Sequence, residues 1–139
     1  MLEVENGGPA DAGCSEMIVL INPPGLKSFS GLQMHTPNPP LGLAYIAAVI
    51  KEAGFRYLVI DGTGEALDTI SEYDKRSDFM LQGLPFDEIA CRIPADARIV
   101  GLSCMFSTLW PLTRDLAAHI RKSRPDVLLV LGGEHGTAV

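Results

Sequence analysis

Three places in this sequence pass abruptly from an apolar run to residues able to hold a ligand: Asn22-Pro23-Pro24-Gly25, Ser103-Cys104-Met105 and Gly132-Gly133-Glu134-His135. The second offers a hydroxyl, a thiol and a thioether in succession. The third offers two stretches of bare backbone, where a bulky molecule can come close, and then a carboxylate and an imidazole. Ser103 with His135 is a nucleophile and a base by residue type, which leaves a hydrolase open as a reading, although no Gly-x-Ser-x-Gly elbow surrounds the serine. Cys104 has no charged neighbour in sequence to activate its thiol, so nothing argues for reactivity there. Cys14, Cys91 and Cys104 stand far apart with no Cys-x-x-Cys or Cys/His spacing that closes a zinc site, and a reducing cytoplasm is the natural expectation. Cys91 is expected to be a small core residue of an amphipathic helix. Of the histidines, His35 sits in a proline-rich loop, where it is either a ligand or simply exposed, and His119 near a helix end is expected to be structural. Glu134 and His135 are either site residues or solvent-facing loop residues.

The elements that position these residues are read from the apolar runs. Met17 to Ile21 forms a first strand, stopped by Pro23 and Pro24, which cannot donate to a ladder. Residues 25–40 form a long loop without helical or strand period. Pro40 suits the first turn of a helix carrying Leu41, Leu43, Ala44, Ile46, Ala47 and Ile50, capped by Gly54, with Ala44, Ala47 and Ala48 allowing close approach to a sheet. Tyr57 to Asp61 is a second strand, and the Gly62-Thr63-Gly64 behind it lacks the third glycine and helix of a dinucleotide fingerprint. Glu65 to Gly83 is polar and mixed, an insertion with a short helix. Phe86 to Ile93 is a helix between prolines. Arg98 to Met105 holds a third strand buried on both faces, Thr108 to Ser123 a helix with a basic last turn, and Val127 to Leu131 a fourth strand. Trp110-Pro111 starts that last helix against the rim of a crevice.

Alternating strands and helices imply a doubly wound α/β domain, a parallel sheet of Rossmann-like or flavodoxin-like type with strand order 2-1-3-4. Its ligand crevice should lie beyond the carboxyl ends of the strands where the order reverses, walled by residues 22–25, 103–106 and 132–135. The sheet of this type normally has a fifth strand, which is expected to be missing here, so that residues 17–139 read as one C-terminally incomplete domain. Residues 1–16, acidic and without an apolar core, read as a disordered tail and not a secretory signal.

Eleven basic against seventeen acidic residues, with no Lys/Arg cluster, argue against a nucleic-acid partner. The longest apolar run, Leu41 to Ile50, is about half what a bilayer span needs, so no membrane span is expected.

Taken together, these motifs resemble the cobalamin-binding domain at the N-terminus of one class of radical S-adenosylmethionine enzymes. Cobalamin domains carry Asp-x-His-x-x-Gly, Ser-x-Leu and Gly-Gly; here Ser103-Cys104-Met105 stands for the second and Gly132-Gly133 for the third. Pro37-Asn38-Pro39-Pro40-Leu41-Gly42 takes the place of the first, keeping only the glycine, with Pro37 for Asp and Pro39 for the metal-ligating His. Asn22-Pro23-Pro24, the Pro39 to Ala47 helix start and Gly132 to His135 are similar to the radical subclass in particular. The resemblance covers about Met17 to Val139. It implies cobalamin as cofactor, its nucleotide tail beside small residues at Gly101, Ser103, Gly132 and Gly133, with Asn22, Pro23, Gly42, Cys104, Met105, Glu134 and His135 also at the site. It implies a cofactor bound with its own base displaced and no protein imidazole in that base's place below the cobalt. The partner it implies is a radical S-adenosylmethionine barrel carrying the iron–sulfur cluster and S-adenosylmethionine; the Cys-x-x-x-Cys-x-x-Cys of that cluster is not in this sequence, so this chain alone is not expected to be catalytic.

Other readings of the same fold stay open, a receiver or a flavodoxin-like module among them. A receiver wants paired acids after its first strand, and a flavin module a phosphate loop rich in N–H donors. Asn22-Pro23-Pro24 supplies neither.

Overall fold

A computed structural model of the chain describes residues 16–28, 38–73 and 78–137. The tail over residues 1–15, Cys14, His35 and Pro37 lie outside the described residues. Strand β1 (Met17–Asn22) is central, paired in parallel with β3 (Arg56–Asp61) on one side and β6 (Ala97–Ser103) on the other, and β7 (Leu128–Gly132) lies beyond β6. Numbered within this sheet alone, the order β3-β1-β6-β7 is the 2-1-3-4 of the sequence reading. The order reverses between β1 and β6, because the chain leaves β1 toward β3 and then crosses back.

That reversal places helices on both faces. Helix α1 (Leu41–Glu52) sits Leu43 and Ala47 on Leu20, with Ile18, Ile50, Tyr57 and Val59 packed around them. Helices α2 (Phe86–Cys91) and α3 (Trp110–Ser123) bury Ile89, Leu116 and Ile120 against Val19, Ile21, Val100 and Leu102 on the opposite face. Helix α1 closes as its sequence demands: Gly54 takes φ +81°, its N–H donates to the Lys51 carbonyl at 3.0 Å, and Phe55 N–H reaches back to Ile50 at 3.1 Å. Of the alanines expected to approach the sheet only Ala47 does; Ala44 and Ala48 are exposed. Cys91 is exposed as well, not a core residue, because α2 is a turn and a half long and turns only Ile89 fully inward.

The strand expected to be buried on both faces is covered on one. Val100 and Leu102 are buried under α3, but Arg98 is exposed and Ile99 and Gly101 only half-buried, because α1 covers β1 and β3 and stops short of β6. On that uncovered half, Leu128 and Val130 of β7, in register with Ile99 and Gly101, are 60% and 46% exposed.

The long loop and the polar insertion differ most from expectation. Strand β2 (Gly25–Ser28) pairs antiparallel with β5 (Phe79–Gln82), and β5 with β4 (Ile70–Glu72), giving a second, three-stranded sheet; the only helical piece there among the described residues is the single 3-10 turn Gly64–Ala66. Gly62 N–H donates to the Asn22 carbonyl (2.8 Å), the Thr63 hydroxyl to the Pro23 carbonyl (3.0 Å) and Leu84 N–H to the Gly62 carbonyl (2.7 Å), which fasten this sheet to the carboxyl ends of β1 and β3. At the opposite end of the main sheet Arg124, just past α3, donates to the carbonyls of Pro94 (2.7 Å) and Ala97 (3.1 Å) and pairs with Asp126 (2.8 Å).

Candidate functional site

The carboxyl ends of β1, β6 and β7 lie side by side, Ile21 opposite Leu102 and Ser103 opposite Gly132, so residues 22–25, 103–106 and 132–135 are brought together at the point where strand order reverses. Their side chains divide the work. Asn22 donates from Nδ2 to Asp61 Oδ1 at 2.8 Å, and buried Pro23 accepts from Thr63, so these two lock the ends of β1 and β3 to each other. Ser103 is half-buried and alternates onto the same face as Ile99 and Gly101, the face uncovered beside α1. Cys104 is 1% exposed, its thiol directed at the Phe106 carbonyl (3.7 Å) and not at solvent; its backbone donates to the Gly132 carbonyl (2.8 Å) and accepts from His135 N–H (3.2 Å). Met105 and Phe106 stand outward, 50% and 65% exposed. Glu134 and His135 open helix α4 (Glu134–Thr137).

The two glycines after β7 do different jobs. Gly133 has φ +96°, and a Cβ there would lie 2.5 Å from the Cys104 carbonyl oxygen, so the backbone itself demands glycine. Gly132 has no such need: the nearest atom to a Cβ would be the Leu102 oxygen at 4.0 Å. Gly42, in the first turn of α1, is exposed and a Cβ on it would meet nothing within 4 Å. A helical glycine costs about 0.5–1 kcal/mol relative to alanine, and no contact among the described residues explains that cost here. With Leu43 and Ala47 turned down on the sheet, a right-handed crossover from β1 to β3 and a step of about 100° per residue put Gly42, Ile46 and Val49 on the flank of α1 that looks toward β6 and β7.

The result is a slot. One wall is Gly42, Ile46 and Val49, and the floor is Gly101, Ser103, Val130 and Gly132. Three of these positions carry no side chain, although the Leu20 side chain already lies 3.1 Å from where a Cβ on Gly101 would stand, and among the described residues named here the one polar side chain is the Ser103 hydroxyl. Ile46 was read from sequence only as part of the apolar helix period, Val130 only as part of a strand, and Val49 not at all; their spacing with Gly42 and Gly101 became visible only once the helix was set on its sheet. Such a slot suits a large, partly apolar ligand held without covalent chemistry.

Both described imidazoles are engaged elsewhere. His135 Nδ1 lies 3.0 Å from Ser107 Oγ and its ring packs on Trp110 at 5.0 Å, at the crevice rim where that tryptophan was expected. His119 pairs with Asp87 at 2.9 Å between α3 and α2, on the far face of the sheet, the structural role expected of it. Among the described residues no group of three or more His, Cys, Asp or Glu is placed to hold a metal ion, and no helix is long and apolar enough to cross a membrane. The Arg124 guanidinium holds the Asp126 carboxyl down to about 2, but this pair sits at the amino ends of β6 and β7 and serves the fold, not the slot.

Comparison with known proteins points the same way. The B12 binding domain family matches residues 31–139. A 97-residue stretch, 69% of the chain, is 29% identical to the cytidylyl-2-hydroxyethylphosphonate methyltransferase of Streptomyces wedmorensis, and that stretch spans 18% of the relative's length. No solved structure matches. Gly42 and Gly132, which no contact among the described residues requires, stand near the switch point of a doubly wound sheet, and the family match runs over most of the chain: it belongs to the B12-binding domain family.

Proposed function

We propose that this chain holds cobalamin for a radical S-adenosylmethionine methyltransferase, with the nucleotide tail in the slot between α1 and the β6–β7 half of the sheet and with no protein histidine beneath the cobalt. The observation that carries the proposal is the pair Gly42 and Gly132, at which, among the described residues, an added Cβ would meet no atom closer than 4.0 Å. Cobalamin, when bound, supplies a cobalt centre able to carry a methyl group. Gly42, Gly101 and Gly132 leave room for the tail, Ile46, Val49 and Val130 give it apolar walls, and the Ser103 hydroxyl can bond its polar atoms. Asn22 acts at one remove, by holding Asp61 and so the end of β3.

The place of the usual metal-ligating histidine falls to Pro39, whose ring has no donor nitrogen to offer. His135 is committed to Ser107 and Trp110, and His119 to Asp87. The named activity of the Streptomyces wedmorensis relative supports methyl transfer as the reaction class. In this reading the iron–sulfur cluster and S-adenosylmethionine belong to a barrel domain outside this chain, the setting is cytoplasmic, and the chain is a binding module, not the catalyst.

The test is the paramagnetic spectrum of the cobalt(II) form bound to the full chain, for the wild type and for His35→Ala. The expected spectrum lacks nitrogen superhyperfine splitting and is the same in both proteins. Splitting from an imidazole that disappears in His35→Ala overturns the axial assignment, and absence of binding overturns the proposal as a whole.

A further inference from the structure

We infer that His135 is a positioning residue that latches the β6–α3 connection, so that Met105 and Phe106 are held outward as an apolar rest for the corrin ring. The inference rests on the cobalamin reading of the slot. Its geometry is that of one residue gripping a two-residue tip from both sides: His135 N–H donates to the Cys104 carbonyl just before Met105 (3.2 Å), and the His135 ring meets the Ser107 hydroxyl just after Phe106 (3.0 Å). Packing of the ring on Trp110 fixes the imidazole plane. Cys104 is pinned again through its N–H to Gly132, and Leu109 N–H closes the following 3-10 turn on the Phe106 carbonyl at 2.9 Å.

A phenylalanine and a methionine in a loop ordinarily fold back to bury themselves. Here the backbone on either side is fixed and the two side chains stay 65% and 50% exposed, next to the slot and at the end of the strand that forms its floor. A flat macrocycle with apolar faces is the occupant that matches such a pair, and it is continuous with the tail already assigned to the slot. His135 therefore touches no cofactor atom itself. It acts through Phe106.

The experiment compares hydroxocobalamin with cobinamide, a corrin without the nucleotide tail, by visible titration of the full chain. The variants are His135→Ala, Ser107→Ala, Phe106→Ala and the double His135→Ala/Phe106→Ala, with Gly132→Leu as the control for the tail. His135→Ala keeps the backbone N–H to Cys104 but loses the ring contact to Ser107 and the packing on Trp110, and is expected to weaken both ligands alike, by about tenfold; Ser107→Ala, which loses the hydrogen bond alone, by roughly threefold. Gly132→Leu should weaken hydroxocobalamin and spare cobinamide. In the Phe106→Ala background the effect of His135→Ala should vanish to within about twofold, the non-additivity that a purely structural histidine does not produce. Ser107 is exposed, so its variant keeps the fold even where His135→Ala lowers the melting temperature. Wild-type affinity in both His135→Ala and Ser107→Ala, or additive effects in the cycle, overturns the latch while leaving the slot standing. Failure of the wild type to take up hydroxocobalamin overturns the slot, and the latch with it.

Discussion

Replacing the two neighbouring glycines after β7 one at a time separates fold from ligand. Gly133→Ala puts a Cβ within 2.5 Å of the Cys104 carbonyl oxygen and 2.7 Å of its carbon, on a residue held at φ +96°. Neither strain can relax through a flexible side chain, since both partners are backbone. A cost of about 1–3 kcal/mol follows, which for a domain of this size lowers the melting temperature by roughly 4–12 °C. Gly132→Ala meets its nearest atom at 4.0 Å and needs no positive φ, so stability should hold or rise by about 0.4–1 kcal/mol through the less flexible unfolded chain. Gly132→Leu goes further, filling the slot floor beside Ser103 while leaving the backbone unstrained. Overpacking a fitted slot costs about 1–3 kcal/mol, or about 5- to 150-fold in cobalamin affinity. Thermal melts followed by circular dichroism, paired with hydroxocobalamin titration, read both effects. A folded Gly132→Leu protein with wild-type affinity would refute the slot, and a Gly133→Ala protein melting with the wild type would refute the assignment of that glycine to the fold.

The other expectations concern the scaffold. Arg124→Ala strips donors from the carbonyls of Pro94 and Ala97 and should cost about 2–3 kcal/mol in urea unfolding, with Lys a poor substitute because it lacks the guanidinium fork; an unchanged midpoint would count against the hub. Asp126 is held at about 2 by its hydrogen bond to Arg124, below its ordinary 3.8, so its contribution is fully present above the unfolded value and is lost as pH falls from about 4 through about 2; Asp126→Asn should flatten the loss of stability across that window, and superimposable curves for the two proteins would contradict this. Among the described residues no strand pairs with the outer edge of β7, and Leu128 and Val130 are 60% and 46% exposed, so the chain taken alone should self-associate and Leu128→Lys with Val130→Lys should reduce that; a wild type that sediments as a monomer at high concentration speaks against it.

The main sheet was legible because each of its strands is a compact apolar run ending on proline, glycine or a small polar residue, because α1 and α3 show helical periodicity, and because α1 ends on its capping glycine, Gly54. The crevice followed from topology alone, since three strand ends meet wherever this order reverses. The second sheet was not legible. Gly25–Ser28 and Ile70–Glu72 are four and three residues long, too short to show alternation, and they become strands only by pairing with Phe79–Gln82, far away in sequence. The incomplete burial of Ile99 and the exposure of Leu128 were hidden for a related reason: an apolar run gives no sign of whether a helix covers it. Cys104 and Gly133 were named from their motifs, but a motif does not distinguish a residue that lines a slot from one whose backbone builds it. That distinction needed the φ of Gly133 and the burial of the thiol.

The measurement that tests the central claim most directly is diffraction from the full chain crystallised with hydroxocobalamin, with the cobalt located by its anomalous scattering. The account predicts the nucleotide tail between α1 and the β6–β7 floor, against Gly42, Ser103 and Gly132, with the cobalt beyond the carboxyl ends of β1, β6 and β7 and no imidazole nitrogen bonded to it. A tail lying outside that slot, or a histidine on the cobalt, would contradict it.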